Sequence, residues 1–104
     1  MAQFTVDNKR LKMSPGGVVD IPVAGRKALG MRKGVGARVT VDAEDEAVTI
    51  GAARGDEKTW RISPKGVMVL RERAYETLAA SPGRHYRLEV DDDRGRVRLA
   101  PFRP

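Results

Sequence analysis

Short alternating or β-branched apolar runs, each cut by a Pro- or Gly-bearing turn, run along the whole chain. The pattern predicts a mainly β fold with two short helices. Leu11 and Met13 alternate with Lys12 as in a half-buried strand, Pro15-Gly16-Gly17 turns the chain, and residues 18–21 return as a strand expected to pair across that turn. Pro22 suits a first helical position, and a helix is predicted over 23–29 with Gly30 stopping it. Strands over 37–42 and 47–50 flank the acidic turn Ala43-Glu44-Asp45-Glu46. The plan then recurs. Trp60 and Ile62 alternate around Arg61, Pro64-Lys65-Gly66 turns, and residues 67–70 return. A helix over 71–80 carries Ala74 and Leu78 on one face. Ser81-Pro82-Gly83 ends it, and strands over 86–90 and 96–99 close on the turn Asp91-Asp92-Asp93-Arg94-Gly95.

The recurrence is visible residue by residue. Laid on residues 60–99 without a gap, residues 11–50 match identically at 10 of 40 positions, among them Ser14/Ser63, Pro15/Pro64, Gly17/Gly66, Val18/Val67, Leu29/Leu78, Val41/Val90 and Asp42/Asp91. Six further pairs keep apolar character, such as Met13/Ile62 and Val39/Leu88. The chain therefore reads as one domain over 1–104, with tandem ββαββ repeats at 9–52 and 58–101 joined by a short polar linker. Hairpins of this size are not stable alone, so the two units are expected to close on each other as one small barrel without exposed edges. A double-psi β-barrel, also built from duplicated halves, is the rival architecture.

The run Gly17-Val18-Val19-Asp20-Ile21-Pro22-Val23-Ala24-Gly25-Arg26-Lys27-Ala28-Leu29-Gly30-Met31 resembles the swapped-hairpin motif of AbrB, MazE and SpoVT-type transcription factors. The second run, from Lys65-Gly66-Val67-Met68-Val69-Leu70 through Leu78, is similar to the tandem units of MraZ-like proteins. The resemblance covers both repeats. It implies a swapped-hairpin β-barrel, here a single-chain pseudo-dimer, that lies on duplex DNA through basic residues of the hairpin and helix start. By position, Arg26 and Lys27 match the paired basic residues of the helix, and Lys9, Arg10 and Lys12 supply the leading strand. The chain departs from the motif where Val18 and Val67 replace the arginine after the hairpin glycine, and where Tyr75 and Glu76 stand opposite Arg26 and Lys27. The Gly-Asp after the helix is also changed, to Gly34-Val35-Gly36 and Gly83-Arg84-His85.

Charge agrees with a polyanionic partner: 20 basic residues against 14 acidic ones give +6 at pH 7. Phosphate contacts from Lys9, Arg10, Lys12, Arg26, Lys27, Arg32 and Lys33 would make binding salt-sensitive. The expected function is a DNA-binding transcriptional regulator with double-stranded DNA as partner. Because the halves differ, one chain should prefer an asymmetric site unless two chains associate. A protein-interaction module that kept the barrel and lost DNA reading is the second reading, supported by Val18 and Val67. An antitoxin is a distant third, since only residues 100–104 follow the last strand.

Other chemistry finds little footing. The chain has no cysteine and no apolar run of signal-peptide or membrane-spanning length, so a cytoplasmic protein is the expectation. His85, the lone histidine, reads as a surface loop residue rather than a metal ligand. Asp91–Gly95 lacks the later glutamate of a calcium loop and reads as a hairpin turn. Residues 30–36 lack the Lys and Ser/Thr of a phosphate-binding loop. Trp60 and Tyr86 fall at core positions, too few to build a base-stacking platform. Ser14 and Ser63 have no general base in register, so no enzyme, cofactor, metal or small-molecule substrate is expected.

Overall fold

The computed structural model describes residues 3–6, 11–53 and 58–102. It is mainly β, with two short helices. In chain order the elements are β1 (Gln3–Val6), β2 (Val18–Asp20), α1 (Val23–Ala28), β3 (Ala37–Glu44), β4 (Ala47–Ala52), β5 (Trp60–Ile62), β6 (Val67–Val69), α2 (Glu72–Ala79), a 3-10 turn (Pro82–Arg84), β7 (Tyr86–Asp91) and β8 (Arg96–Pro101). Six strands form one open antiparallel sheet in the order β1-β7-β8-β4-β3-β5, and β2 pairs with β6 as a separate two-stranded ribbon. No helix among the described residues is long and apolar enough to cross a membrane.

Apart from the strand expected at Leu11–Met13, the predicted elements recur to within two residues at their ends, but their pairing differs from expectation. The segments flanking each first turn do not zip together. Ser14 N–H bonds the Val18 carbonyl at 3.0 Å, after which the strands splay. β2 pairs instead with β6 of the other half, and β5 pairs with β3. Leu11–Met13 makes only a bridge, Lys12 opposite His85, with Met13 N–H on the Arg84 carbonyl and Tyr86 N–H on the Leu11 carbonyl. Each half thus holds one hairpin of its own, and the rest of its strands are paired across halves.

The two Ser-Pro-x-Gly turns are built alike. In each, the serine hydroxyl accepts the N–H four residues on, Val18 at 3.0 Å and Val67 at 3.1 Å, while the glycine N–H bonds back to the serine carbonyl. Gly17 and Gly66 sit at φ 90° and 82°, where a side chain is strained. A Cβ on Gly17 would strike the Leu70 carbonyl oxygen, so this turn is pressed against the opposite half.

The two hairpins differ in their turns. β3 runs through Glu44, so the predicted four-residue acidic turn shrinks to Asp45-Glu46, both at positive φ (53° and 61°) as in a type I′ connection. The β7–β8 connection has four residues, Asp92 to Gly95. Val41 faces Ile50 in the first hairpin and Leu88 faces Leu99 in the second. Ile50 and Leu99 are 49 apart, whereas Val41 and Leu88 are 47 apart. β7 has therefore slipped by two residues against the gapless alignment, and matched pairs such as Val41/Val90 and Asp42/Asp91 are not counterparts in space. A slip of two keeps every side chain on its own face, which is why the apolar pattern survived it.

β1 was not predicted. It pairs along β7, from Gln3 opposite Asp91 to Val6 opposite Leu88. α1 lies on β7 and β8, with Gly25 against Leu88 and Val97, and α2 packs on β3, β4 and β8. α1 ends in a Schellman motif on Gly30 (φ 76°): Met31 N–H reaches the Arg26 carbonyl and Gly30 N–H the Lys27 carbonyl. Pro22 is its N-cap, one residue outside the predicted position. The core between sheet, helices and ribbon holds Met13, Val19, Ile21, Ile50, Leu78 and Tyr86, all at 1% exposure or less.

Candidate nucleic-acid interface

The acidic and basic residues segregate. Four ion pairs occur among the described residues, and all lie on the second hairpin: Arg98–Glu89 (3.0 Å), Arg87–Glu89 (3.6 Å), Arg94–Asp91 (3.7 Å) and Arg96–Asp91 (3.9 Å). The cations of α1 and of the loop before β3 have no carboxylate within ion-pair distance among the described residues. Positive charge is therefore self-neutralised on β7–β8 and left available near α1.

Of the seven residues expected to meet phosphate, Lys9 and Arg10 lie outside the described residues. Arg26, Lys27, Arg32 and Lys33 fall on α1 and the loop that leads from it. Lys27, Arg32 and Lys33 are exposed and Arg26 is half-buried. Lys12 is exposed but stands apart from this group, opposite His85 where the chain enters β7.

Arg26 does more than carry charge. Its Nε–H donates to the Ile21 carbonyl at 2.8 Å, and its side chain lies over Gly66, so close that a Cβ there would strike it. Tyr75, its partner in the gapless alignment, does the same work on the other side. Its ring lies against Gly17 and its hydroxyl donates to the Pro15 carbonyl at 3.0 Å. Each helix thus sets the side chain at this position against the turn glycine of the other half. The guanidinium nitrogens beyond Nε are what Arg26 has left for an anion.

The turn at 63–66 gathers more cations than sequence spacing suggests. Gly36 lies against Pro64, with space for a Cβ denied by the Ile62 carbonyl, so the loop carrying Arg32 and Lys33 abuts the turn carrying the exposed Lys65. The corresponding turn at 14–17 has Gly16 in place of Lys65 and Tyr75 in place of Arg26, although Arg84 lies beside it with its Nε–H on the Met13 carbonyl at 2.9 Å.

Tyr86 anchors the ribbon to the sheet. Its hydroxyl accepts Asp20 N–H at 2.9 Å and donates to the Asp20 carbonyl at 2.8 Å. Burial pushes its phenol up to about 12 from 10.0, with the Asp20 charge adding a smaller upward push against the downward pull of the backbone bond. Trp60 is half-buried, with the Arg71 guanidinium 5.5 Å from its ring centre. His85 is half-buried rather than a free surface residue, and its Nδ1 is enclosed with no hydrogen-bond partner among the described residues. The outward face of the ribbon is apolar at one end, where Val18 faces Val69 directly at 37% and 47% exposure, and mixed at the other, where half-buried Val67 faces the exposed Asp20. A groove of about 470 Å³ crosses the outer side of the sheet between Phe4, Glu44, Thr49, Asp91 and Arg98. Its mixed charge fits no single ligand class.

No family model, curated protein or solved structure matches the chain.

Proposed function

We propose that this protein is a DNA-binding regulator whose two halves form a single-chain, swapped-hairpin pseudo-dimer, and that it meets duplex DNA with the α1 corner. The observation that carries the reading is the uneven charge: Lys27, Arg32, Lys33 and Lys65 stand exposed and unpaired among the described residues, while the arginines of β7–β8 are tied to Glu89 and Asp91. Such a cluster is stabilised by releasing condensed counterions from a phosphate backbone.

The registers support the pseudo-dimer. In the ribbon Val19 faces Met68, and in the sheet Thr49 faces Arg98; each pair is 49 residues apart. A two-fold axis relating the halves would pass through both pairs. Exclusively antiparallel pairing among the described strands favours this arrangement over a double-psi barrel. The axis relates backbones and not individual charges, because Gly16 and Tyr75 stand where the other corner has Lys65 and Arg26. The preferred site is therefore asymmetric.

Fluorescence anisotropy on a labelled duplex across a KCl titration tests the reading, from about 50 to about 300 mM. K27Q/R32Q/K33Q should reduce the slope of log K against log salt by about 2–3, on the scale of about 0.9 per phosphate contact. Arg26 is left intact because its loss would also release the Gly66 turn. An unchanged slope removes α1 and its loop from the interface. The apolar end of the ribbon face, Val18 and Val69, favours a second reading, in which the same fold binds protein. Failure of the wild type to hold duplex at the lowest salt would turn the search to that face.

A further inference from the structure

We infer that Arg38 and Arg61 form a phosphate clamp on the outer face of the sheet edge, extending the α1 corner onto the second half of the chain. This rests on the DNA-binding reading and adds to it a site that the motif does not single out.

Arg38 on β3 and Arg61 on β5 are directly opposed in the antiparallel register, with Ala37 opposite Ile62 and Val39 opposite Trp60 on either side. Directly opposed residues share a face, their Cβ atoms roughly 5 Å apart. Val39 and Ile62 are fully buried, so the face shared by the arginines is the outer one, and both are exposed. Like charges so placed repel each other, and a sheet normally relieves this with an opposed or diagonal carboxylate. None is present among the described residues. The next strand offers Ala53, whose N–H bonds the Arg38 carbonyl. On β3 the first carboxylate on the same face is Asp42, four residues and roughly 13 Å along the strand. The contrast with β7–β8 is internal to the same sheet: there Arg94 and Arg96 converge on Asp91, and Arg87 and Arg98 on Glu89.

Two planar guanidinium forks held side by side on a rigid sheet suit the oxygens of a phosphodiester, which accept bidentate donors. The position also continues the basic corner. Arg32 and Lys33 precede β3 on the loop whose Gly36 packs against Pro64, and Lys65 follows β5 in the same turn. The arginine pair thus adjoins the loop and the turn that carry Arg32, Lys33 and Lys65. The place related to this one by the pseudo-two-fold holds Lys12 opposite His85. It lacks the paired forks, since a lysine there faces a histidine. The clamp thus belongs to one corner only, and it sharpens the asymmetry of the expected site.

The test uses the full chain and a random-sequence duplex of about 20 base pairs, with anisotropy read across the same salt range. R38Q/R61Q should lower the salt slope by about 2 and weaken binding at about 100 mM salt by roughly ten- to a hundred-fold. R94Q/R96Q removes the same charge from the same sheet but takes it from residues already paired with Asp91, and should leave the slope nearly unchanged. Thermal unfolding of R38Q/R61Q should match or exceed the wild type, since repulsion is relieved, which separates lost contact from lost fold. Equal slope losses in the two double variants, or none in R38Q/R61Q while the wild type binds, would overturn the clamp and leave the DNA-binding reading standing. A loss in R38Q/R61Q with no loss in K27Q/R32Q/K33Q would uphold the clamp and overturn the α1 face. Absence of any wild-type binding would overturn both.

Discussion

Tyr86→Phe removes one oxygen atom from the core and should cost more stability than any surface change in this chain. The hydroxyl holds both polar groups of Asp20, accepting the N–H at 2.9 Å and donating to the carbonyl at 2.8 Å. Phenylalanine keeps the ring packing of a side chain that is fully buried, so the loss is confined to those bonds. Each of these part-buried bonds contributes about 1 kcal/mol net, which together gives about 2 kcal/mol. Against the roughly 5–15 kcal/mol that holds an ordinary domain folded, this is a large fraction. Urea unfolding at neutral pH should show a lower midpoint with an unchanged denaturant slope. The pH dependence supplies an independent check. The unfolded phenol ionises near 10 and the folded one near 12, so the unfolded state sheds its proton first as pH rises. The wild type then loses about 1.4 kcal/mol per pH unit across that window, stability that is fully present below it. The phenylalanine variant has no such proton to lose, so the stabilities of the two proteins should converge as pH approaches 12. A change below about 0.5 kcal/mol at neutral pH, or parallel curves through the window from 10 to 12, would refute the role given to this hydroxyl in holding ribbon to sheet.

Two substitutions probe the turns. Gly17→Ala places a methyl group into the Leu70 carbonyl at φ 90° and should destabilise by about 2 kcal/mol or more, read as a fall in the urea midpoint. Glu46→Gly should act in the opposite direction: Glu46 sits at φ 61° in a type I′ turn where glycine is unstrained, and a gain of about 0.5–1 kcal/mol is expected in the same assay.

The elements were legible because they are written in local patterns. Alternation around Arg61, the Ser-Pro-x-Gly turns and the Gly30 stop each act through nearest neighbours, and each lies where predicted, whereas the alternation around Lys12 yields only a bridge. The pairing was not legible, because it depends on contacts between halves. Nothing local in Val18–Asp20 distinguishes a strand that returns across its own turn from one that pairs with Val67–Val69. The gapless alignment also concealed the slip of β7, since a displacement of two residues leaves alternation intact. β1, with four residues, carries too short a pattern to stand out, and its pairing with β7 is again long-range. In the candidate interface, the basic residues of α1 could be named from the motif. The tethering of Arg26 to Ile21 and Gly66 could not, although Tyr75 at the aligned position was a signal that this place serves packing as well as charge. Arg38 and Arg61 were hidden for the same reason as the pairing: 23 residues apart in sequence, they are opposed only through the β3–β5 register.

Selection of bound fragments from sheared genomic DNA at near-physiological salt, followed by sequencing, tests the central claim most directly. A regulator whose two corners carry different side chains should enrich a defined sequence without two-fold symmetry. Salt-labile retention with no enrichment, or no retention at all, would contradict it.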